Sequence, residues 1–263
     1  MPLKKFLAVF AAVCLTLSMV GCQQNDDVSI GQTDTEQTVQ EVQQTTETTT
    51  EQTEHTVENA ETSETEPSAE SEDNIAETVM IAGQEFSVDD AAVTIEATID
   101  GVDISEITFI KNLKILELLN VEEGYSYVTG FNSISEMENL EELYIRGVHI
   151  KSDFIKSDFE NIQYCQNLKK LYLDLTTIFD ISCIENLTYL EEIYICNADI
   201  SDITPLSSLK HLKKVSIIET NVFDLSPLEC LDNLEYIYIS CNANIDENQI
   251  EQLKKQLPNC EII

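Results

Sequence analysis

The sequence predicts a solenoid, a stack of short repeats in which each strand is followed by a compact helical or extended return and the strands line up as a parallel sheet, preceded by a disordered tether. Three observations predict it. Six segments share one template: LKILEL (Leu113 to Leu118), LEELYI (Leu140 to Ile145), LKKLYL (Leu168 to Leu173), LEEIYI (Leu190 to Ile195), LKKVSI (Leu212 to Ile217) and LEYIYI (Leu234 to Ile239), with starts 27, 28, 22, 22 and 22 residues apart. Ahead of the starts, at offsets of nine, six and three, stands a further apolar set, such as Ile203, Leu206 and Leu209 before Leu212. Residues 23 to 78, by contrast, are nearly all Gln, Thr, Glu, Asp and Ser.

The chain begins with an export signal. Lys4 and Lys5 precede an apolar run from Phe6 to Val20, which ends in Gly21 and Cys22. The run is shorter than the roughly 20 residues a helix needs to span a bilayer, and a polar tract follows at once. Met19-Val20-Gly21-Cys22 resembles the signal box of bacterial lipoproteins, with Met19 in place of the usual Leu. The resemblance implies that residues 1–22 form the signal including its Cys, and that Cys22 is lipidated and becomes the mature N-terminus. The protein is then held through Cys22 at the extracellular face of the bacterial cell membrane. Two acyl chains, at ~0.8 kcal/mol per buried methylene, give durable attachment where one does not.

Residues 23–78 are expected to act as a linker. Ordering them costs about 1–2 kcal/mol per residue in backbone entropy, with scarcely any apolar area to offset it. A flexible chain of this length spans ~40 Å, and repulsion between its carboxylates stretches it further. The formal charge is −35, no Lys or Arg lies between Lys5 and Lys111, and residues 23 to 110 carry 23 of the 49 acidic groups. Such a field repels phosphate backbones and anionic lipid surfaces, which excludes nucleic acid as a partner and a basic patch as the membrane contact.

A cap is expected over 79–98, where VMIAGQEFSVDDAAVTIEATI (Val79 to Ile99) alternates like strands. The repeats follow over 99–245. A single repeat buries too little to offset the ordering of its backbone; stacked units share their buried faces and pair their strands. The C-terminal cap, 246–263, reads as an amphipathic helix from about Glu247 to Leu257, then Pro258 and a short strand.

Template and offsets together match the leucine-rich repeat, and DITPL (Asp202 to Leu206) and DLSPL (Asp224 to Leu228) resemble internalin-like bacterial repeats. The resemblance covers roughly residues 79 to 263 and speaks to fold far more than to function. It departs at one place: the Asn expected near each strand end is replaced at Val121, Val148, Thr176, Ala198 and Thr220, and kept at Asn242. Asp103, Asp158, Asp180, Asp202 and Asp224 share a repeat position just before each return. Thr204-Pro205 and Ser226-Pro227 read as helix caps followed by Pro at the first helical position. Stacked Asp turns are also a calcium-site geometry, but no repeat supplies a dense carboxylate cluster, so turn and capping roles are expected and no metal.

Alternation along each strand sends the second, third, fifth and seventh template positions to the concave, solvent-facing side. The fifth position reads Glu117, Tyr144, Tyr172, Tyr194, Ser216 and Tyr238, and Arg146 and Asp174 stand at the seventh. Tyr offers large contact area with a polar tip, so Tyr144, Tyr172, Tyr194 and Tyr238, with Arg146 and Asp174, are the expected ligand-binding residues. Tyr also suits strands for their own sake. The second and third positions alternate in sign, Glu141-Glu142, Lys169-Lys170, Glu191-Glu192, Lys213-Lys214, which reads as cross-strand pairing. The two long repeats carry insertions, Glu122 to Gly130 and His149 to Asp158, whose Tyr125, Tyr127 and Phe154 either extend a binding edge or pack against the rim.

Catalytic chemistry finds no support. The His residues, His55, His149 and His211, share no position with a nucleophile, and no glycine-rich phosphate loop occurs, so neither catalytic residues nor a cofactor are expected. Cys165, Cys183, Cys196, Cys230, Cys241 and Cys260 lack ligand spacing and are expected mostly as free thiols. Two function classes remain: a recognition or adhesion module binding an unknown protein, peptide or glycan through the Tyr face, and an accessory lipoprotein docking onto another envelope complex.

Overall fold

The computed structural model describes residues 77–122, 124, 126–151 and 158–263. The export signal, Cys22 and all but the last two residues of the tether lie outside the described residues, as do Tyr125 and Phe154. A hairpin comes first, β1 (Thr78–Ile81) paired antiparallel with β2 (Gln84–Ser87). Its two turn residues, Ala82 and Gly83, both have positive φ, 53° and 76°, the turn whose twist matches that of the flanking strands.

The main sheet is built from β3 (Ala92–Ala97), β5 (Ile115–Asn120), β7 (Glu142–Arg146), β9 (Lys170–Thr176), β10 (Glu192–Ala198), β11 (Lys214–Thr220), β12 (Tyr236–Ser240) and β13 (Glu261–Ile262). Among the described residues these eight strands lie in the order β13-β12-β11-β10-β9-β7-β5-β3, and every neighbouring pair is parallel. The sheet thus starts at β3, inside the segment read from the sequence as cap, and ends on a strand after the last repeat. Leu140, Leu143 and Ile145 show why the template folds this way. All three are fully buried, Leu143 and Ile145 on one side of β7 and Leu140 just ahead of it, in one core with Phe131, Ile134 and Met137 from the preceding return.

The returns are 3-10 helices, Ser105–Phe109, Phe131–Glu136, Asp158–Tyr164, Ser182–Ile184, Thr204–Ser208 and Ser226–Leu228. Three residues per turn put offsets nine, six and three on one face, which is why those positions are the apolar ones. Thr204 and Ser226 are the first helical residues and not the caps: Ile203 and Leu225 occupy the cap positions and make no side-chain cap bond. The repeated Asp does that work from one residue further back. Asp103 Oδ1 accepts from the Ser105 N–H at 2.9 Å, and Asp180, Asp202 and Asp224 accept from Ser182, Thr204 and Ser226 at 2.8 Å each. Gly130 replaces the Asp in the second repeat because its φ is +70° and a Cβ there would collide with Asp103 Oδ1 and the Ser105 nitrogen.

A second, smaller sheet joins the segment ahead of the first template strand to the two long repeats. β4 (Val102–Asp103), β6 (Ser126–Thr129) and β8 (Val148–Ile150) pair in parallel, order β4-β6-β8, so part of the first insertion is a strand and not an edge loop. Val128 and Val148 are fully buried beneath it, which fixes the face it presents to the core.

Most main strands end the same way. Gly147, Leu175, Asn197, Glu219 and Cys241 occupy one template position and have φ of 64°, 51°, 49°, 50° and 56°. The single left-handed residue turns the chain and sends the next side chain inward: Val148, Thr176, Ala198 and Thr220 are all buried. Asn242 follows the last of them. Its Oδ1 accepts from Thr220 N (3.0 Å) and Oγ1 (2.7 Å), while Nδ2 donates to the carbonyls of Ile217 and Ser240 at 2.8 Å each. No Asn stands at this position in the other repeats to continue such a ladder, and the Thr176 hydroxyl is buried with no hydrogen-bond partner among the described residues.

The far end is closed by α1 (Glu247–Gln256), whose Asp246 cap accepts from the Gln249 N–H at 2.9 Å and whose last turn carries Lys254 and Lys255, favourable at the negative end of a helix. Leu253 of α1 is fully buried on the core.

Candidate recognition surface

The face of the main sheet turned away from the core carries three columns of side chains. The central one runs Thr94, Glu117, Tyr144, Tyr172, Tyr194, Ser216, Tyr238, in strict register from β3 to β12. Tyr144 and Tyr172 stack at 4.5 Å between ring centroids, and Tyr172 and Tyr194 at 4.0 Å with only 10° between planes. Parallel strands lie about 4.8 Å apart, so identical rings in register meet face to face without leaving their strands.

That stacking changes the exposure expected of the stripe. The rings stand on the side opposite the core, yet Tyr144 and Tyr172 are each only 8% exposed, because each covers its neighbour. Tyr194 and Tyr238 are half-buried. What the central rings offer to solvent is edge and hydroxyl and not ring face. The hydroxyls are engaged too: Tyr144 donates to Glu142 Oε2 at 2.5 Å and Tyr194 to Glu192 Oε2 at 3.1 Å. Burial pushes the Tyr144 phenol well above its ordinary range, helped by Glu142; burial does the same for Tyr172, and Tyr194 is pushed up to about 12.

On one flank the charges pair across strands. Lys170 meets Glu142 at 3.0 Å and Lys214 meets Glu192 at 3.0 Å; one residue further out, Glu141 is held by both Lys114 (2.9 Å) and Lys169 (2.6 Å), and Glu191 by Lys213 (2.7 Å). The Lys169 and Lys114 ammonium groups draw the Glu141 carboxyl down to about 2. These exposed pairs set register more than they stabilise.

On the other flank Arg146 Nε lies 3.4 Å from Asp174 Oδ2, and Asn197 Nδ2 donates to Asp174 Oδ1 at 3.1 Å. Asp174 is only 5% exposed, and burial pushes its carboxyl up against the downward pull of Asn197 and Arg146. The sequence placed both residues on this face but gave no sign that they bond to each other. Cys196 follows in the same column, 3% exposed, while Cys165 is core, its thiol pushed up to about 12 by burial. Cys165, Cys183, Cys230 and Cys260 are free thiols.

Tyr127 lies elsewhere, on β6 of the smaller sheet. It is 42% exposed, with the His149 ring 6.1 Å away and Lys151 Nζ 5.9 Å from its ring centre. Sequence reasoning missed the start of the central column: Thr94 Oγ1 donates to the buried Glu117 carboxylate at 2.7 Å, continuing the row one strand earlier than the template. The alternation of Ala92 to Ala97 was the available signal, since it matches that of the template strands.

The fold so defined is a leucine-rich-repeat solenoid. Among solved structures it is similar to an internalin C2 from Listeria monocytogenes, at 27% identity and a TM-score of 0.53, over 65% of this chain and 69% of that one. It is also similar to an internalin, InlF, from the same organism, at 23% identity and a TM-score of 0.52, over 68% of this chain and 50% of that one. No protein-family profile and no curated protein sequence matches the chain.

Proposed function

We propose that the chain is an extracellular, lipid-anchored recognition or adhesion module that binds a protein, peptide or glycan through the Tyr-bearing face of its main sheet. The observation that carries this reading is the Tyr144-Tyr172-Tyr194 ladder itself. Three large aromatic side chains stand on the side of the sheet that the core does not need, fixed by stacking and by hydroxyl bonds. A rigid aromatic row with a polar rim loses little side-chain entropy on docking, which is what a binding hot spot requires. Likeness to internalin C2 supports an internalin-like repeat domain. Cys22, in its lipoprotein-like signal, supplies the membrane attachment.

The test is capture of cell-surface partners by crosslinking on intact cells, followed by mass spectrometry. Replacing Tyr144, Tyr172 and Tyr194 together with Ala is expected to abolish capture while leaving the protein on the membrane. Cys22→Ser is expected to release it into the medium. A second reading, an accessory lipoprotein docking onto an envelope complex, is favoured by one observation, the exposed Tyr127 beside His149 and Lys151 on the smaller sheet. Partners lost with Tyr127→Ala but kept in the triple variant would select it.

A further inference from the structure

The stacked tyrosines are wired to two proton acceptors. Tyr144 donates its hydroxyl proton to Glu142 Oε2 at 2.5 Å, and Tyr194 donates to Glu192 Oε2 at 3.1 Å. The Tyr172 hydroxyl is hydrogen-bonded to that of Tyr194. A phenol has one proton to give. Tyr194 spends its own on Glu192, so towards Tyr172 it accepts, and the Tyr172 proton points along a relay through Tyr194 to Glu192. The three rings therefore drain to separate carboxylates, one for Tyr144 and one for the other two. Meanwhile Tyr144 and Tyr172 lie face to face at 4.5 Å, and Tyr172 and Tyr194 at 4.0 Å.

Recognition by an aromatic row needs none of this wiring; one-electron oxidation does. A neutral phenol that loses an electron becomes a strong acid, and a carboxylate already bonded to it takes the proton more readily than water. We infer that Tyr144 and Tyr172 are a covalent modification site, joined as a dityrosine by a one-electron oxidant of the high-valent metal-complex class. The steps balance. Tyr144 gives one electron to the oxidant and its proton to Glu142. Tyr172 gives one electron to a second equivalent and its proton to the Tyr194 oxygen, as the Tyr194 proton passes to Glu192. The two radicals couple through the ring carbons ortho to their hydroxyls, and the hydrogens at the new C–C bond move to the oxygens. Net, two protons leave and two equivalents of oxidant are reduced. Holding the rings in contact makes the coupling intramolecular. Tyr172 and Tyr194 are closer but share Glu192 as their outlet, and a carboxyl that has taken one proton cannot take the next. The product fastens together two repeats through residues 28 positions apart.

This inference goes beyond the recognition reading and does not depend on it. The test is oxidation of the dilute full chain by a photogenerated ruthenium(III) complex, followed by dityrosine fluorescence and mass spectrometry of linked peptides. The link between Tyr144 and Tyr172 is expected to exceed links at Tyr127, Tyr164 and Tyr189, although those three are the exposed ones. Glu142→Gln and Glu192→Gln keep an oxygen for the phenol but no base, and each is expected to slow linking about tenfold or more. Tyr194→Phe keeps a stacked ring and both coupling partners and removes only the relay. It is expected to slow linking to the same extent while keeping the parent's circular dichroism. Tyr172→Phe is expected to abolish the link. Linking that prefers the exposed tyrosines, a link between Tyr172 and Tyr194 in its place, or parental rates in Glu142→Gln, Glu192→Gln and Tyr194→Phe overturns the inference. Partner capture is read separately, so its failure sinks the recognition reading alone.

Discussion

Tyr144 and Tyr172 sit where a surface side chain would be wet, and they are nearly dry because the neighbouring repeat supplies the same residue. Their folded pKa is raised above the ordinary 10.0, so the neutral phenols stabilise the fold fully below that value and the contribution is lost as pH climbs through the folded one. In an alkaline titration followed by the phenolate absorbance, Tyr144 and Tyr172 are expected to ionise only as the protein unfolds, with Tyr194 near 12. Tyr144→Phe and Tyr172→Phe should each reduce the late, unfolding-linked amplitude by one phenol, and early titration of either group would contradict the dry stack. Period-two alternation placed these rings on the outward face. It could not give their exposure, which depends on a ring separation of 4.0 to 4.5 Å between residues 22 and 28 positions apart.

The strands and their returns were legible because two periods are superimposed, alternation along the strand and a step of three along the return, and few other structures demand both. The cap assignment failed at Thr204 and Ser226 for a related reason. A Thr-Pro or Ser-Pro pair reads as cap and first residue of an α-helix, but a short 3-10 return starts one residue earlier and hangs its first N–H on the preceding Asp. Asp224 binds both the amide and the hydroxyl of Ser226, whereas Asp180 binds only the Ser182 amide. Asp224→Ala is therefore expected to cost about 1 kcal/mol in urea denaturation, and more than Asp180→Ala. Equal losses would show that the hydroxyl bond adds nothing. The smaller sheet was not legible: strands of two to four residues are too short for a periodic signal, and β6 is paired on both sides, with β4 and with β8.

At the scale of the whole molecule, neighbouring repeats are not interchangeable, because their outward charges alternate in sign. Deleting residues 190–211 removes one repeat and sets Lys169-Lys170 beside Lys213-Lys214; deleting 190–233 sets the same lysines beside Glu235 and Tyr236. Both deletions preserve the apolar spacing, so both are expected to fold. The single deletion should be the one whose urea midpoint rises with added salt, since each like-charge pair costs ~0.2–1 kcal/mol and salt screens it. Identical salt responses would mean that the alternation carries no register information. The smaller sheet adds a directional difference of another kind. Coils containing β4, β6 and β8 are laced along two seams, those after β8 along one. Peeling from the hairpin end must rip both seams at once, and peeling from the α1 end only one, so the solenoid is expected to unravel first from the α1 side.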